Sequence, residues 1–309
     1  MVKMSEVREM SEMEEVIMYK ISENQTVYKM CKDNPPVLTV PAGSQIEFET
    51  ADALGGQIQT ETDRLDSLDW SRINPATGPV FVEGALPGDI LSVKIEKIEV
   101  PDFGVMVAGN GMGVSGSILD ESYTKIIPIK DDIAFFSDKI RIPLNKMIGV
   151  IGTAPKGDAV GCGVPDLHGG NMDCKEITEG VTLLLPVNVP GALLALGDLH
   201  AVMADGEICV TGIEVSGKVT VTVDVIKNQS FPLPMIISET HVMTLASDED
   251  LDKAVDMAVF NMITYLTNTC GFVAHEAAML VSLVGDVRIC QVVDPKKTAR
   301  VEVSKIYFC

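Results

Sequence analysis

The sequence predicts a mainly β protein in which antiparallel sheets form a sandwich or barrel, with one helical hairpin near the C-terminus. Three observations predict this class. Many short stretches alternate apolar and polar residues, turn residues separate these stretches, and helical spacing recurs in one region only. The chain is 46% hydrophobic but only 5% aromatic, so its core is built mainly from aliphatic side chains, which suit sheets.

Alternating residues mark the strands, and the clearest signal is the stretch ILSVKIEKIEV at 90–100. One face of such a strand is buried and the other is exposed. No helical pattern lies between most of the strands, so adjacent strands are expected to be antiparallel. The other predicted strands are 44–50, 123–129, 133–136, 181–187, 208–215, 219–225, 288–293 and 299–303.

Two helices are predicted after the long β region. Apolar residues recur at helical spacing from Leu251 to Leu266, with Ser247 as the predicted N-cap and acidic residues at 248–250 near the positive end of the helix dipole. A second, shorter helix is predicted at 275–284 and ends at Gly285. The two form a hairpin that leads into the last strands.

Residues 1–18 are predicted to be an N-terminal extension, disordered or loosely helical. They mix Met with charged residues and lack the apolar core of a signal peptide. Residues 19–309 are predicted to form one large domain, or two fused β lobes with a boundary near residue 150.

Composition excludes several classes of function. The formal net charge of −20 argues against binding to nucleic acid, which requires clustered Lys and Arg. No stretch reaches the roughly 18 apolar residues that a membrane span needs. The seven cysteines form no CxxC pair and are odd in number, which favours the reduced thiols of a cytoplasmic protein.

Potential chemistry is concentrated between residues 165 and 214, which contain two of the four histidines. Acidic residues and one histidine occur together at 166–173 and again at 197–207, and the apolar stretch between them is expected to bring the two clusters face to face. Imidazole and carboxylate groups suit Zn²⁺ or a similar divalent ion, which polarises carbonyls and lowers the pKa of bound water to about 7. The same residues also fit an ordinary interpretation as turn formers and hydrogen-bonding side chains.

These clusters and several other motifs, in this order and spacing, resemble the acetamidase/formamidase family from about Pro41 to the C-terminus. The matching motifs are NPATGP at 74–79, VEGALPGD at 82–89, GVIGTAP at 149–155, HGGNMD at 168–173, LP at 185–186, PGA at 190–192, GDLHA at 197–201, DGE at 205–207, GDVR at 285–288 and DP at 294–295.

The resemblance implies hydrolysis of formamide, acetamide or a similar short amide to a carboxylic acid and ammonia. It also implies a β-sandwich fold that assembles into a homodimer or a larger homo-oligomer, with a small amide as partner and no nucleotide cofactor. Two departures put the choice of substrate in doubt. Met203-Ala204 replaces the Gln-Gly that often precedes the DGE motif, and Ala53 stands where the family often has Cys.

Roles for individual residues follow from what amide hydrolysis requires, namely an activated nucleophile, a stabilised oxyanion and a proton for the leaving ammonia. Zn²⁺ is the expected metal, with Ca²⁺ as the alternative. Asn171 and the backbone N–H groups of Gly169 and Gly170 are predicted oxyanion donors. The predicted metal ligands are His200, Asp173 and Glu207, with His168 and Asp52 as further candidates, and the predicted general acid or base is Asp205 or Glu83.

Three alternatives remain open at this stage. A thiolate of Cys162 or Cys174, which flank the first cluster, could attack the amide carbon. The pattern GMGVSG at 111–116 has the spacing of a dinucleotide-binding loop, although 123–129 has a strand pattern where a crossover helix is needed. A non-catalytic β-sandwich binding protein could use the acidic loops to hold a structural cation such as Ca²⁺.

Overall fold

The structure, a computed structural model, describes residues 17–308, which form two large β-sheets and a pair of helices. The predicted N-terminal extension lies outside the described residues except for its last two positions, and Met18 already belongs to the first strand. Within residues 17–308, no helix is long and apolar enough to cross a membrane.

In the first half of the described chain, the regular secondary structure is β-strand apart from three short 3₁₀ helices. Its strands are β1 (Met18–Ile21), β2 (Thr26–Val27), β3 (Lys29–Met30), β4 (Leu38–Val40), β5 (Gln45–Thr50), β6 (Ala76–Val82), β7 (Ile90–Glu99), β8 (Phe103–Ala108), β9 (Tyr123–Lys130), β10 (Ile133–Phe135), β11 (Arg141–Pro143) and β12 (Met147–Gly152).

The second half adds further strands and both α-helices. They are β13 (Val160–Gly161), β14 (Gly169–Asn171), β15 (Thr182–Pro186), β16 (Ala192–His200), β17 (Glu214–Val215), β18 (Gly217–Ile226), β19 (Met235–Ile237), β20 (His241–Asp248), α1 (Leu251–Cys270), α2 (Ala274–Val284), β21 (Asp286–Gln291) and β22 (Lys297–Ser304). Short 3₁₀ helices occur at Leu65–Ser67, Trp70–Arg72, Ser115–Ile118 and Lys305–Tyr307.

The strands form one nine-stranded sheet, in the order β1-β5-β18-β7-β15-β19-β20-β22-β21, one eleven-stranded sheet and a small two-stranded sheet of β3 and β13. The second sheet has the order β11-β10-β9-β8-β17-β16-β12-β14, and β6 pairs with β16, β2 and β4 beside this path. The strand pairs are antiparallel except β1 with β5 and β4 with β6. Both large sheets contain strands from before and after residue 150, so neither sheet corresponds to one side of that position.

The main core lies between the two sheets and combines side chains from both. Phe48 and Ile95 of the nine-stranded sheet and Ile148 and Leu196 of the other belong to one fully buried cluster. The helices cover the opposite face of the nine-stranded sheet, where Met262 and other apolar residues of α1 belong to a second apolar cluster that includes β20 and β22 residues. The predicted mainly β sandwich with a C-terminal helical hairpin is therefore confirmed.

Two details of the secondary structure differ from the predictions. Ser247 is not the N-cap of α1, because it lies in β20, with its hydroxyl hydrogen-bonded to that of Thr298. Asp250 caps the helix instead and accepts a hydrogen bond from the Asp252 N–H. The predicted strand at 208–215 is reduced to β17, since left-handed backbone at Val210 (φ 80°) belongs to a turn.

The glycine-rich stretch at 111–116 does not open a dinucleotide-binding unit. β8 and β9 lie on either side of it and pair directly as antiparallel neighbours. A dinucleotide-binding unit needs a helix between two parallel strands, so this segment is a connection within an antiparallel sheet.

Candidate functional site

Asp198 and His200 lie on β16, a strand whose residues are all buried in the eleven-stranded sheet. β16 lies beside β12 on one edge, and its end pairs with β17, where His200 is opposite Glu214. The two acidic clusters of the sequence meet across β12, because Asp173 follows β14 and donates its N–H to the Gly149 carbonyl.

Gly149 allows the two clusters to meet. It lies on β12 between Asp173 and Asp198, and a Cβ atom at this position would clash with Asp173 Oδ1 and lie 2.7 Å from Asp198 Oδ2. Any larger residue would therefore push the two carboxylates apart.

His200 is the centre of a buried acidic cluster. Its Nε2 atom lies 3.3 Å from Asp198 Oδ1 and 3.1 Å from Glu214 Oε2. Potential ligand atoms lie within 4.8 Å of one another in two groups that share His200, one with Asp173 and Asp198 and the other with Glu207 and Glu214. We call these five residues, each at most 7% exposed, the metal cluster.

The metal cluster has unusual backbone conformations, and the pKa values of its side chains differ from their ordinary values. Asp173, Asp198 and Glu207 have φ angles of 40°, 57° and 46°, a left-handed conformation whose strain is often found at functional sites. Burial and neighbouring carboxylates raise the pKa of Asp173 and Glu207 well above the ordinary range. Burial also raises the pKa of Glu214 to about 7. Burial alone would lower the pKa of His200, but Glu214 and Asp198 raise it well above its usual value.

Several atoms of the metal cluster have no hydrogen-bond partner although they are buried. They are Asp173 Oδ1, Asp198 Oδ1, Glu214 Oε2 and both ring nitrogens of His200. The short contacts of His200 are therefore contacts without hydrogen-bond geometry. Buried polar atoms are normally paired, so converging unpaired oxygens and nitrogens fit a bound cation. Among residues 17–308, no ion pair with Lys or Arg includes these carboxylates.

A cavity of about 580 Å³ leads to the metal cluster. Its polar wall contains Asp198, Glu207 and Glu214 together with Asn171 and Asp294. Asn171 donates a hydrogen bond from Nδ2 to Asp294 Oδ2 (2.9 Å), while its own Oδ1 has no partner. Burial of its carboxyl group and the charge of Glu207 raise the pKa of Asp294. We call this space the site cavity.

His168 does not lie beside His200. Thr153 donates its N–H to the His168 carbonyl at one end of β12, whereas Met147 at the other end pairs with His200. At about 3.3 Å per strand residue, these positions are roughly 20 Å apart. Burial lowers the pKa of His168 to about 4, which keeps its ring neutral. The two acidic loops therefore meet where Asp173 approaches Asp198 and His200, and not through a contact between His168 and His200.

Glu83 is also far from the metal cluster. It is exposed just after β6, whose opposite end begins at Ala76, the partner of Gly197. The length of β6 separates Glu83 from Asp198 by roughly 20 Å. Gly169, predicted as an oxyanion donor, already donates its N–H to the Asp166 carbonyl.

Asp205 forms a bidentate ion pair with Arg300. Its Oδ1 lies 2.7 Å from Nη1 and its Oδ2 lies 3.0 Å from Nη2, while Lys175 is 3.2 Å from Oδ2. Burial alone would raise the pKa of Asp205, but the hydrogen bonds and positive charges of Arg300 and Lys175 together outweigh burial and lower this pKa overall. A carboxylate held in this way is a poor general base, so the structure supports a stabilising role.

Asp52 lies near the metal cluster but outside its ligand groups. Its Oδ1 accepts a hydrogen bond from the Gly56 N–H (3.1 Å), and burial raises its pKa, with a smaller contribution from Asp198. Together with Glu214 it lines a second groove of about 480 Å³.

Known proteins match the chain over nearly its whole length. A profile of the acetamidase/formamidase family covers residues 18–161 and 163–304. The chain belongs to this family. The sequence-based resemblance is thereby confirmed.

Solved structures of this family have nearly the same fold as the chain. An acetamidase from Bacillus halodurans superposes with a TM-score of 0.92 at 47% identity, over 94% of this chain and 98% of that one. An acetamidase from Yersinia enterocolitica gives 0.89 at 30% identity, over 95% and 93% of the two chains.

Curated members of the family are more distant in sequence. The acetamidase of Mycolicibacterium smegmatis is 28% identical over 63% of this chain and 64% of its own length. The formamidase of Methylophilus methylotrophus is 28% identical over 63% of each. The chain thus spans less than two thirds of the length of these curated relatives.

The sequence predicted no role for four residues that lie at or beside the metal cluster. They are Asp198, Glu214, Asp294 and Arg300. The position of Asp198 could have been predicted, because residues two apart in a strand point to the same face and Asp198 is two residues before His200. Glu214 and Asp294 reach the site only through strand pairing and the return of the chain after α2, which spacing along the sequence does not reveal. Arg300 is 95 residues from Asp205 in sequence and gave no signal.

The cysteine alternative finds little support in the site. Cys162 lines the site cavity, but burial raises its pKa to about 12, so its thiol resists conversion to the nucleophilic thiolate. Its Sγ atom donates to the Val27 carbonyl (3.5 Å). Cys174 is fully buried in the core between the sheets.

Proposed function

We propose that this protein hydrolyses primary amides to a carboxylic acid and ammonia with the help of a divalent metal ion held by the metal cluster. The observation that carries the proposal is the set of buried, unpaired ligand atoms of the cluster at the end of the site cavity. Family relatives named acetamidase and formamidase support the reaction class.

The donor set supports Zn²⁺ or a similar transition ion. The imidazole of His200 favours such an ion, which also binds carboxylates, whereas Ca²⁺ prefers six to eight ligands that are all oxygen. His200, Asp173, Asp198, Glu207 and Glu214 would hold the ion. When bound, a divalent ion supplies Lewis-acid chemistry that polarises a carbonyl and acidifies water.

Asn171 and Asp294 are positioned to handle the substrate beside the metal cluster. The free Oδ1 of Asn171 can accept a hydrogen bond from the substrate NH₂ group, which orients the amide. Asp294, oriented by Asn171 Nδ2, can take a proton from water at its carboxylate and pass it to the leaving nitrogen. Its raised pKa suits this work, because a general acid or base is most effective near the operating pH.

Ammonia release from formamide, acetamide and larger amides, measured together with the metal content, tests the proposal. We expect stoichiometric metal in active protein, loss of turnover after chelation, and recovery when Zn²⁺ is added back. Unchanged turnover in metal-free protein would contradict the metal requirement. A protein that binds a cation tightly yet releases no ammonia from any amide would instead be the non-catalytic binding protein. A cytoplasmic location and assembly into homo-oligomers stay predictions.

A further inference from the structure

We propose that the preferred substrates are uncharged primary amides with an apolar acyl group much larger than the methyl group of acetamide, such as medium-chain aliphatic or aromatic amides. This inference rests on the proposed amide hydrolysis and specifies its substrate class.

The size of the site cavity favours a large acyl group. At about 580 Å³ it lies within the range of about 300–1,000 Å³ that is typical of sites for drug-sized ligands. Formamide or acetamide, placed with its amide group beside the metal cluster, would leave most of this space to water. The cavity is therefore larger than hydrolysis of the shortest amides requires.

The wall of the site cavity contains apolar side chains as well as acidic ones. Besides the acidic groups and other polar residues, the wall contains several apolar side chains, among them Ala53, Leu54, Ile73, Val107 and Met112. Most of them belong to a small apolar cluster of their own, separate from the core between the sheets. An apolar wall stabilises a bound ligand only if the ligand presents apolar surface to it.

The shape of this wall is fixed before any ligand binds. Leu54 lies on the connection between β5 and β6, which Gln57 holds in place. Its Nε2 donates to the Leu54 carbonyl (2.9 Å), and its Oε1 accepts from the Asp69 N–H (2.8 Å). Asn74 closes the connection by donating its N–H to the Ala53 carbonyl (2.8 Å). A preformed pocket loses little conformational entropy when it binds.

Charge restricts the acyl group further. The polar wall carries several carboxylates, and among the described lining residues the one cation is Lys29, which is exposed. An acyl group that ends in a carboxylate would bury this charge against the apolar wall, where none of the described lining residues is a buried cation. The wall thus favours neutral acyl groups and disfavours acidic ones.

A series of straight-chain primary amides from acetamide to octanamide, with benzamide and the half-amide of a dicarboxylic acid, tests the inference on the unmodified protein. We expect kcat/KM to rise about fourfold per added methylene until the cavity is filled, equivalent to about 0.8 kcal/mol per buried CH₂. Benzamide should be a good substrate and the half-amide a poor one.

Two variants that fill the apolar wall sharpen the test. Ala53→Leu and Met112→Trp should each lower the ratio of hexanamide to acetamide kcat/KM about tenfold. Ala278→Leu and Met279→Trp make the same changes at exposed positions of α2 and should leave this ratio unaltered.

The possible outcomes distinguish this inference on substrate size from the proposed amide hydrolysis on which it rests. Hydrolysis of acetamide with no gain along the series would overturn the inference while the amidase function stands. A length preference that persists in both filled variants would also overturn the role of the apolar wall. Failure to release ammonia from any amide would refute both proposals.

Discussion

Asp205 and Glu207 are separated by one residue, yet their carboxylates have opposite surroundings. Asp205 is neutralised by Arg300 and Lys175, and its pKa is lowered overall because the hydrogen bonds and charges of these two residues together outweigh burial. Glu207 lies among other buried carboxylates with His200 as the one nearby base, and its pKa is raised by burial and by Asp173. The first environment is complete, whereas in the second the ring of His200 faces several carboxylates and cannot balance their charge.

The difference shows how the chain treats buried charge. A buried carboxylate is costly unless a counter-charge or several hydrogen bonds compensate it. Where the chain supplies the counter-charge itself, as at Asp205, the group stabilises the fold. Where it leaves several carboxylates uncompensated, as in the metal cluster, the missing charge must come from protons or from a bound cation.

Removing His200, which both groups of the metal cluster share, should have the largest effect on activity. We expect His200→Ala to lower kcat/KM for amides about 10³-fold, because Lewis-acid stabilisation of the transition state is worth several kcal/mol. The same variant should lose its metal while remaining folded by circular dichroism. Glu83→Gln, which changes an exposed carboxylate far from the cluster, serves as the control and should keep both activity and metal. Full activity in His200→Ala would refute its role as a ligand.

Breaking the ion pair between Asp205 and Arg300 should lower the stability of the fold without affecting metal binding. Asp205→Asn removes a charged partner of the buried Arg300, and a hydrogen bond to a charged group is worth about 1.5–3 kcal/mol. We expect urea denaturation to show a loss of that size, while the metal content per folded molecule stays the same. Loss of metal without loss of stability would mean that Asp205 belongs functionally with Glu207.

A smaller effect should appear in the pH dependence of the metal-free protein. The folded-state pKa of Glu214 is raised to about 7, and those of Asp173 and Glu207 are raised as well, chiefly by burial. Between the ordinary Glu pKa of about 4.3 and pH 7, the folded form holds protons that the unfolded form has lost, so stability falls as the pH rises.

Thermal melts at pH 5 and pH 8 should therefore differ by a few degrees, with the metal-free protein less stable at pH 8. Added Zn²⁺ should remove or reverse this difference, because the ion replaces the protons. Asp205 contributes in the opposite direction and only at lower pH, since its lowered pKa adds stability that is lost as the pH falls below the ordinary Asp range. A metal-free protein that is more stable at pH 8 would contradict the assignment of protons to the cluster.

The parts of the fold that the sequence predicted are those with local signals. The alternation at 90–100 became β7, and the helical spacing after residue 250 became α1, because each pattern depends on burial of one face. Turn geometry overrode the apolar pattern at 208–213. The resemblance to a family then placed the right segments around the site.

Which residues form the site could not be predicted from local sequence patterns in the same way. Proximity in sequence suggested that His168 faces His200, but β12 lies between their loops and holds the two residues at opposite ends. Asp205 looked like an acid or base because its partner Arg300 is remote in sequence. Both differences arise from strand register and long-range pairing, which depend on the whole sheet.

The bond between Asn171 and Asp294 connects the site to the part of the chain that follows the helical hairpin. Asp294 lies between β21 and β22, the two outermost strands on that side of the nine-stranded sheet, while Asn171 belongs to the other sheet. Occupancy of the site and docking of this sheet edge are thus mechanically linked. An ion that immobilises the acidic residues would also slow amide exchange along β21, whose Cys290 carbonyl accepts the N–H of Gly206 next to Glu207, and in the helices that precede this strand.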